Sequence, residues 1–248
     1  IIGNTGSGKS TFVRLIAGLI KSDSGKIIID GDDITNKKFN KKILRRKLGI
    51  VFQFPEMQLF EQTVEKDIFF GLKQYKLTYD EKCKRAKEAL ELLGLDFEEI
   101  KDKSPLALSG GEKRKVAVAG ILVCKPKYLI FDEPIAGLDC NSRESFMKLL
   151  LALKQNGTTI IIISHNTDYL AEYADRILVM DGGKIVLDDR PNEIFNQAAL
   201  LNNLNIGVSN SKEIANLLNK NGFNIQSDIL KYDDLLSSII SNIGVIND

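Results

Sequence analysis

The chain has 248 residues, 44% hydrophobic and 27% charged, enough for one substantial core with an appendage and ordinary for a globular protein. Its net charge of +1 gives no electrostatic footprint for nucleic acid or an anionic membrane, and the lysines from Lys37 to Lys47 read as a solvated face. Cys83, Cys124 and Cys140 lack CxxC or metal-like spacing and read as reduced cytosolic thiols, while the longest strongly apolar run, Thr158 to Ile163, is too short to span a bilayer.

Ile1-Ile2 reads as the last rung of a strand, followed by a glycine loop and a helix from about Ser10 to Leu19. The sequence begins inside this motif, so the natural N-terminus, with strands that support the core, is expected upstream. Ser22 to Ile34 reads as a turn, a short β segment and a second turn at Asp30-Gly31. LGIVFQ (Leu48 to Gln53) suits a buried strand. From Thr63 to Leu93 the pattern is helical, with Asp80 a cap for a run in which Ala86, Leu90 and Leu93 share a face. KYLIFDEP is a strand that ends on two acids. Ser142 to Gly157 is an amphipathic helix with a serine start and a glycine stop. TTIIIIS is a strand of the fully buried type, and Arg176 to Leu187 is a hairpin turning at Asp181-Gly182-Gly183. Strands alternating with helices predict an α/β fold around a mostly parallel sheet. After Arg190 the composition shifts toward Asn, Ser, Leu and Ile, with short helices expected at Asn192–Leu204, Ser211–Lys220 and Asp233–Ile240. Two domains follow, 1–190 and a small helical extension at 191–248. The extension either packs on the core or forms a subunit interface.

GNTGSGKS fits G-x-x-x-x-G-K-[ST], with a strand before it and a helix after it. Gly3, Gly6 and Gly8 let the backbone turn its N–H groups onto phosphate oxygens, and the helix start adds its positive dipole end. Lys9 is expected to reach the β- and γ-phosphates, and the Ser10 hydroxyl to bind Mg²⁺. Asp132 and Glu133 stand at the carboxyl end of a buried strand, where ligands sit in open α/β sheets. Asp132 is the Mg²⁺ partner, directly or through water, and Glu133 orients or deprotonates the attacking water. His165, the chain's single histidine, ends TTIIIISH, where it can bond a γ-phosphate and hold Glu133 or the water. Gln53 ends a third apolar strand in the same way and can touch Mg²⁺ or the water.

Together these residues resemble the ATP-binding cassette (ABC) ATPases, P-loop NTPases with a helical subdomain, here about 55–125. GNTGSGKST (Gly3, Asn4, Thr5, Gly6, Ser7, Gly8, Lys9, Ser10, Thr11) matches their Walker A loop, and Gln53 their Q-loop. LSGGE, with Ser109, Gly110, Gly111 and Glu112, matches the signature. LIFDEP matches Walker B, Ala136 to Asp139 the D-loop, and Ile163 to His165 the switch histidine. The match covers roughly Ile1 to Asp189. It implies two cassettes packed head to tail, with the signature of one contacting ATP on the loop of the other and Asp139 at that shared site. Ile135, Cys140 and Glu112 depart from the usual Thr, Pro and Gln. The upstream aromatic that stacks on adenine is absent, so base selectivity rests on the resemblance.

Val51 to Gly71, LSGGEKRKVAVAGIL and the tail further resemble the energy-coupling factor transporter ATPases of A-prime type. That resemblance implies a subunit on the cytoplasmic face of the cell membrane, hydrolysing ATP with Mg²⁺ to power import of a vitamin or transition-metal ion. It implies a second cassette ATPase as partner, with a heterodimer favoured and the tail aiding the pairing. An integral-membrane coupling subunit would dock near Phe52, Phe54, Met57, Leu59 and Phe60, beside a substrate-binding membrane subunit. The alternatives are the ATPase of another ABC transporter, or a soluble ABC protein acting on ribosomes or DNA. The single phosphate loop and near-neutral charge count against the latter. A GTPase is disfavoured because no NKxD string is present.

Overall fold

The computed structural model describes residues 1–226 and 228–246, with side chains described as far as residue 242. The expected extension therefore includes Ser227, Asn247 and Asp248, which lie outside the described residues. In chain order the elements are β1 (Ile2–Gly3), α1 (Lys9–Ile16), β2 (Ile28–Ile29), β3 (Asp32–Asp33), α2 (Lys41–Lys47) and β4 (Leu48–Val51). There follow α3 (Val64–Gly71), α4 (Tyr79–Glu91), α5 (Phe97–Ile100), α6 (Gly110–Leu122), β5 (Tyr128–Asp132), α7 (Cys140–Gln155) and β6 (Thr159–Ile163). The chain ends with α8 (Thr167–Tyr173), β7 (Ile177–Asp181), β8 (Lys184–Asp189), α9 (Pro191–Phe195), α10 (Ala198–Asn203), α11 (Asn210–Lys220) and α12 (Tyr232–Ile246). These elements form two compact units, one of residues 1–12 with 163–248, the other of residues 13–162.

In the first unit, β1 pairs in parallel with β7, Ile2 opposite Val179, and β7 pairs antiparallel with β8. The hairpin turns where expected, through Gly182 and Gly183 at φ +51° and +77°, values that suit glycine. Ile2, Ile177 and Val179 share one apolar core with Leu170 of α8 and with Ile194, Phe195, Leu201 and Leu230 of the tail. Beyond that contact the tail has its own small core of Ala215, Ile225, Ile229 and Leu235. The single helix expected over Asn192–Leu204 is two, α9 and α10. Gln197 leaves helical geometry, and the preceding Asn196 accepts from Lys212 Nζ on its Oδ1 at 2.7 Å. The next helix begins one residue early, at Asn210, because Ser209 caps it by accepting the Lys212 N–H.

In the second unit the sheet order is β4-β5-β6, with β4 and β5 parallel. The β2–β3 hairpin turns through Asp30 and Gly31, both at positive φ (+50° and +82°). Asp30 then anchors it, accepting from Lys127 Nζ and Tyr128 Oη, each at 2.6 Å. Asp80 is not the cap of α4. Thr78 is, in a reciprocal capping box with Glu81, and Asp80 falls in the first turn. Likewise α7 starts at Cys140, capped by Asp139 rather than by Ser142. The β6 strand was expected to be buried on both faces, but Thr159 is exposed and Ile160 to Ile162 are half-buried, only Ile163 being fully covered. Parallel pairs join alternating strands and helices in both units, as the α/β expectation required.

Candidate functional site

The phosphate loop leaves β1 at Gly3 and enters α1 at Lys9. Its three glycines take φ of +155°, +83° and +100°, backbone that favours glycine, and the Ser7 N–H closes a turn inside the loop on the Asn4 carbonyl at 3.1 Å. A Cβ on Gly3 would press into the Met180 carbonyl and lie 2.6 Å from Ser7 Oγ, so only glycine fits there. Lys9 is buried although charged. Its ammonium donates to the Gly3 carbonyl at 2.6 Å, the Asn4 carbonyl at 2.8 Å and Ser7 Oγ at 3.4 Å. Those acceptors offset the desolvation of the charge and hold it across the mouth of the loop. Thr5, Gly6, Ser10 and Thr11 are exposed, and Asn4 and Gly8 half-exposed, so the loop's outer rim is open to a ligand.

His165 belongs to the same unit. The buried Ser164 beside it donates its N–H to the Ile1 carbonyl at 3.3 Å, which ties this strand tip to the strand that carries the phosphate loop. The imidazole residue is exposed.

The remaining candidates lie in the second unit. The β4–β5 register sets Val51 opposite Phe131, and both strands leave the sheet at the same end, delivering Gln53 and the Asp132–Glu133 pair together. Gln53 is exposed; Asp132 and Glu133 are half-buried. Glu133 has φ +50°, a left-handed backbone for a residue that also precedes proline, and such geometry costs about 1–3 kcal/mol. Strain of this kind in a side chain of catalytic type points to function.

Ser109 caps α6. Its Oγ accepts the Glu112 N–H at 3.3 Å, while Glu112 Oε2 accepts the Ser109 N–H at 2.9 Å and its hydroxyl at 2.6 Å. These bonds hold the Glu112 carboxyl below its ordinary range, the Ser109 hydroxyl being the largest cause. The usual Gln is thus replaced by an acid that completes a capping box. Gly110 and Gly111 face open space, which leaves the start of α6 accessible. Asp139 is committed locally. It accepts from Ser142 N–H at 3.0 Å and Oγ at 2.6 Å, which depress its pKa, the hydroxyl bond most.

Three supports were not legible in the motifs. In the first unit the hairpin turn backs the phosphate loop: Gly183 N–H donates to the Ser7 carbonyl at 3.0 Å, and a Cβ on Gly8 would lie 3.3 Å from Gly183 Cα. In the second, Arg114 reaches from α6 to the segment after Glu133, donating to the Pro134 carbonyl and, at 3.1 Å, to the Ala136 carbonyl. Burial lowers the Arg114 pKa, and the charge of Glu56 opposes that shift. The LSGGEKRK string contained Arg114, but nothing local revealed its reach. Asp67 does similar work beside the Q-loop: Oδ2 accepts the Phe60 and Glu61 N–H groups at 3.1 and 2.9 Å, and burial raises its pKa.

A phosphate loop, a helix-capping SGG and acids at a strand tip define an ATP-binding cassette. The chain belongs to the ABC transporter family, which matches residues 1–136. It is similar to the energy-coupling factor transporter ATP-binding protein EcfA2 of Clostridium perfringens, 46% identical over 92% of this chain and 81% of the relative. The protein of that name from Clostridium tetani is 44% identical over 97% of this chain and 84% of its own. Among solved structures, cbiO1 from Clostridium perfringens, part of the ABC transporter complex cbiONQ, superposes with a TM-score of 0.70 at 40% identity, covering 88% of this chain and 85% of that one. A dimeric ATP-binding cassette in a post-hydrolysis state with ADP and Pi aligns at TM-score 0.66 and 28% identity, over 77% of this chain and 83% of that one. Identity and coverage at this level place the chain among the energy-coupling factor transporter ATP-binding proteins.

Proposed function

We propose that the chain is the ATP-binding and hydrolysing subunit of an energy-coupling factor importer, working at the cytoplasmic face of the membrane as a peripheral subunit. Among the described residues no helix is long and apolar enough to cross a membrane. Its partners are a second cassette ATPase, an integral-membrane coupling subunit and a substrate-binding membrane subunit, and the cargo is a small nutrient such as a vitamin or transition-metal ion. The observation that carries the reading is the phosphate loop. Its Lys9 ammonium is buried and aimed by the Gly3 and Asn4 carbonyls, an arrangement that recognises the terminal phosphates of a nucleotide.

Within this reading the N–H groups at the exposed rim of the loop and the start of α1 bind the phosphates, and Lys9 neutralises charge on the β–γ bridge as the γ-phosphoryl leaves. Ser10, Asp132 and Gln53 supply oxygen donors of the kind that suits Mg²⁺, a hydroxyl in the first turn of α1 and two side chains at strand tips. When bound, the metal supplies positive charge for the β- and γ-oxygens. Glu133 orients and deprotonates the attacking water, and His165 bonds the terminal phosphate. Ser109, Gly110 and Gly111 meet ATP held by the partner cassette, with Asp139 at the same interface, so that ATP joins the two ATPases and hydrolysis loosens them. Residues 1–190 act as the cassette and 191–248 as the pairing extension. Glu133→Gln in the assembled complex is expected to retain an ATP-bound ATPase pair with little turnover; near-normal hydrolysis would overturn the assignment of the base.

A further inference from the structure

His165 stands between β6 and α8, and its neighbours are restrained on both sides. Ser164 Oγ accepts the Asn166 N–H at 3.1 Å, and Asn166 caps α8 by taking the Tyr169 N–H at 3.0 Å. The next two positions are held by the tail. Thr167 Oγ1 donates to the Val208 carbonyl at 3.0 Å. Asp168 takes the Asn210 backbone N–H on Oδ1 at 2.7 Å and the Asn210 amide on Oδ2 at 2.6 Å. Both carboxylate oxygens are therefore occupied by one tail residue, a two-point contact that fixes direction as well as distance. The tail side of this contact is itself anchored. Ser209, fully buried, caps α11 and approaches the Leu230 carbonyl at 3.5 Å.

We propose that Val208–Asn210 is a positioning element for the catalytic histidine, acting through Thr167 and Asp168. Helix α8 has seven residues, too few to hold its own axis; Leu170 and Ala171 dock its far end in the core, and the bonds at its first turn fix the end beside His165. That turn begins two residues after the imidazole, and any rotation of it moves His165. The inference rests on the reading that His165 meets the terminal phosphate. Its consequence is that the tail, beyond pairing the ATPases, sets how well each phosphate is gripped.

The test uses the full chain assembled with its partner ATPase and membrane subunits. Asp168→Ala removes both acceptors, whereas Asp168→Asn keeps an oxygen for the Asn210 backbone N–H and offers an NH₂ that the exposed Asn210 amide accepts by turning over. Asp168→Ala is expected to lower kcat about tenfold with little change in the KM for ATP, and Asp168→Asn to restore most of it. Asn210→Ala, which removes only an exposed side-chain amide, is expected to cost about threefold. His165 is the chain's only histidine, so isotope-labelled histidine in this subunit gives one imidazole signal. That signal should move in Asp168→Ala and return in Asp168→Asn. Parental kcat and an unmoved imidazole signal in a folded Asp168→Ala complex overturn the proposal, as does a loss that is equally large in Asp168→Asn. His165→Ala tests the underlying reading separately. If it is inactive while Asp168→Ala is fully active, only the role of the tail falls; if it is fully active, the phosphate role of His165 falls and the proposal with it.

Discussion

Replacing Arg114 by Met should lower turnover without weakening nucleotide binding. The guanidinium holds the Pro134 and Ala136 carbonyls, so it braces the turn that keeps Glu133 left-handed. A charge-assisted hydrogen bond contributes about 1.5–3 kcal/mol when buried, and Arg114 is half-exposed, so the lower figure applies to each, about 3 kcal/mol together. The backbone strain at Glu133 is about 1–3 kcal/mol. With the brace the left-handed turn is favoured; without it the relaxed form prevails. If the competent turn then falls to a tenth or a hundredth of the population, kcat drops about ten- to hundredfold, at 1.36 kcal/mol per decade. Arg114→Lys should fall between, because a single ammonium does not reproduce a planar fork across two carbonyls. Steady-state ATP hydrolysis by the assembled complex reads kcat, and equilibrium nucleotide binding reads the phosphate loop, where Lys9 is held by other atoms. A folded Arg114→Met complex with kcat within about twofold of the parent would refute the brace.

Phe195→Ala tests whether the tail belongs to the core of the first unit. Phe195 is fully buried in the cluster that includes Ile2, Val179 and Leu201, so the expected loss in urea unfolding is about 3–5 kcal/mol. A cost under about 1 kcal/mol would mean that the ring is not packed there. Asp30 gives a pH signature. Its carboxyl is drawn from the ordinary 3.8 down to about 2, chiefly by the Lys127 ammonium and then by the Tyr128 hydroxyl. A depressed folded pKa contributes stability above the unfolded value that is lost as pH falls from 3.8 toward about 2. The stability gap between the parent and Asp30→Asn should therefore be constant at neutral pH and close across that window; a gap that persists at pH 2 would contradict it.

The parts of the site legible in the sequence were those whose physics is local. The glycines of GNTGSGKS need positive φ whatever surrounds them, and an acid pair after four apolar residues marks a strand tip by its own pattern. Helix caps were less secure because neighbouring residues compete. Thr78 and Asp80 are both good caps, and only Glu81 reaching back to the Thr78 N–H decides between them. Asp139 wins over Ser142 by taking both the N–H and the hydroxyl of its rival. The β6 pattern of consecutive isoleucines recorded an apolar strand but not how completely neighbouring elements cover it. What pattern reading missed is tertiary: Gly183 behind Gly8, Arg114 across to Ala136, and Phe195 beneath β1 are contacts between residues far apart in the chain. None leaves a periodic trace.

The pairing of Ile2 with Val179 has a consequence for synthesis. The strand that leads into the phosphate loop leaves the ribosome well before its neighbour in the sheet, and Phe195 and Leu230 follow later still. Residues 13–162 form a continuous stretch able to collapse while translation proceeds, whereas the nucleotide-gripping end waits for β7 and then for the tail. A premature stop near residue 190 would thus leave the nascent loop its hairpin support but strip Ile194, Phe195, Leu201 and Leu230 from the core beneath it.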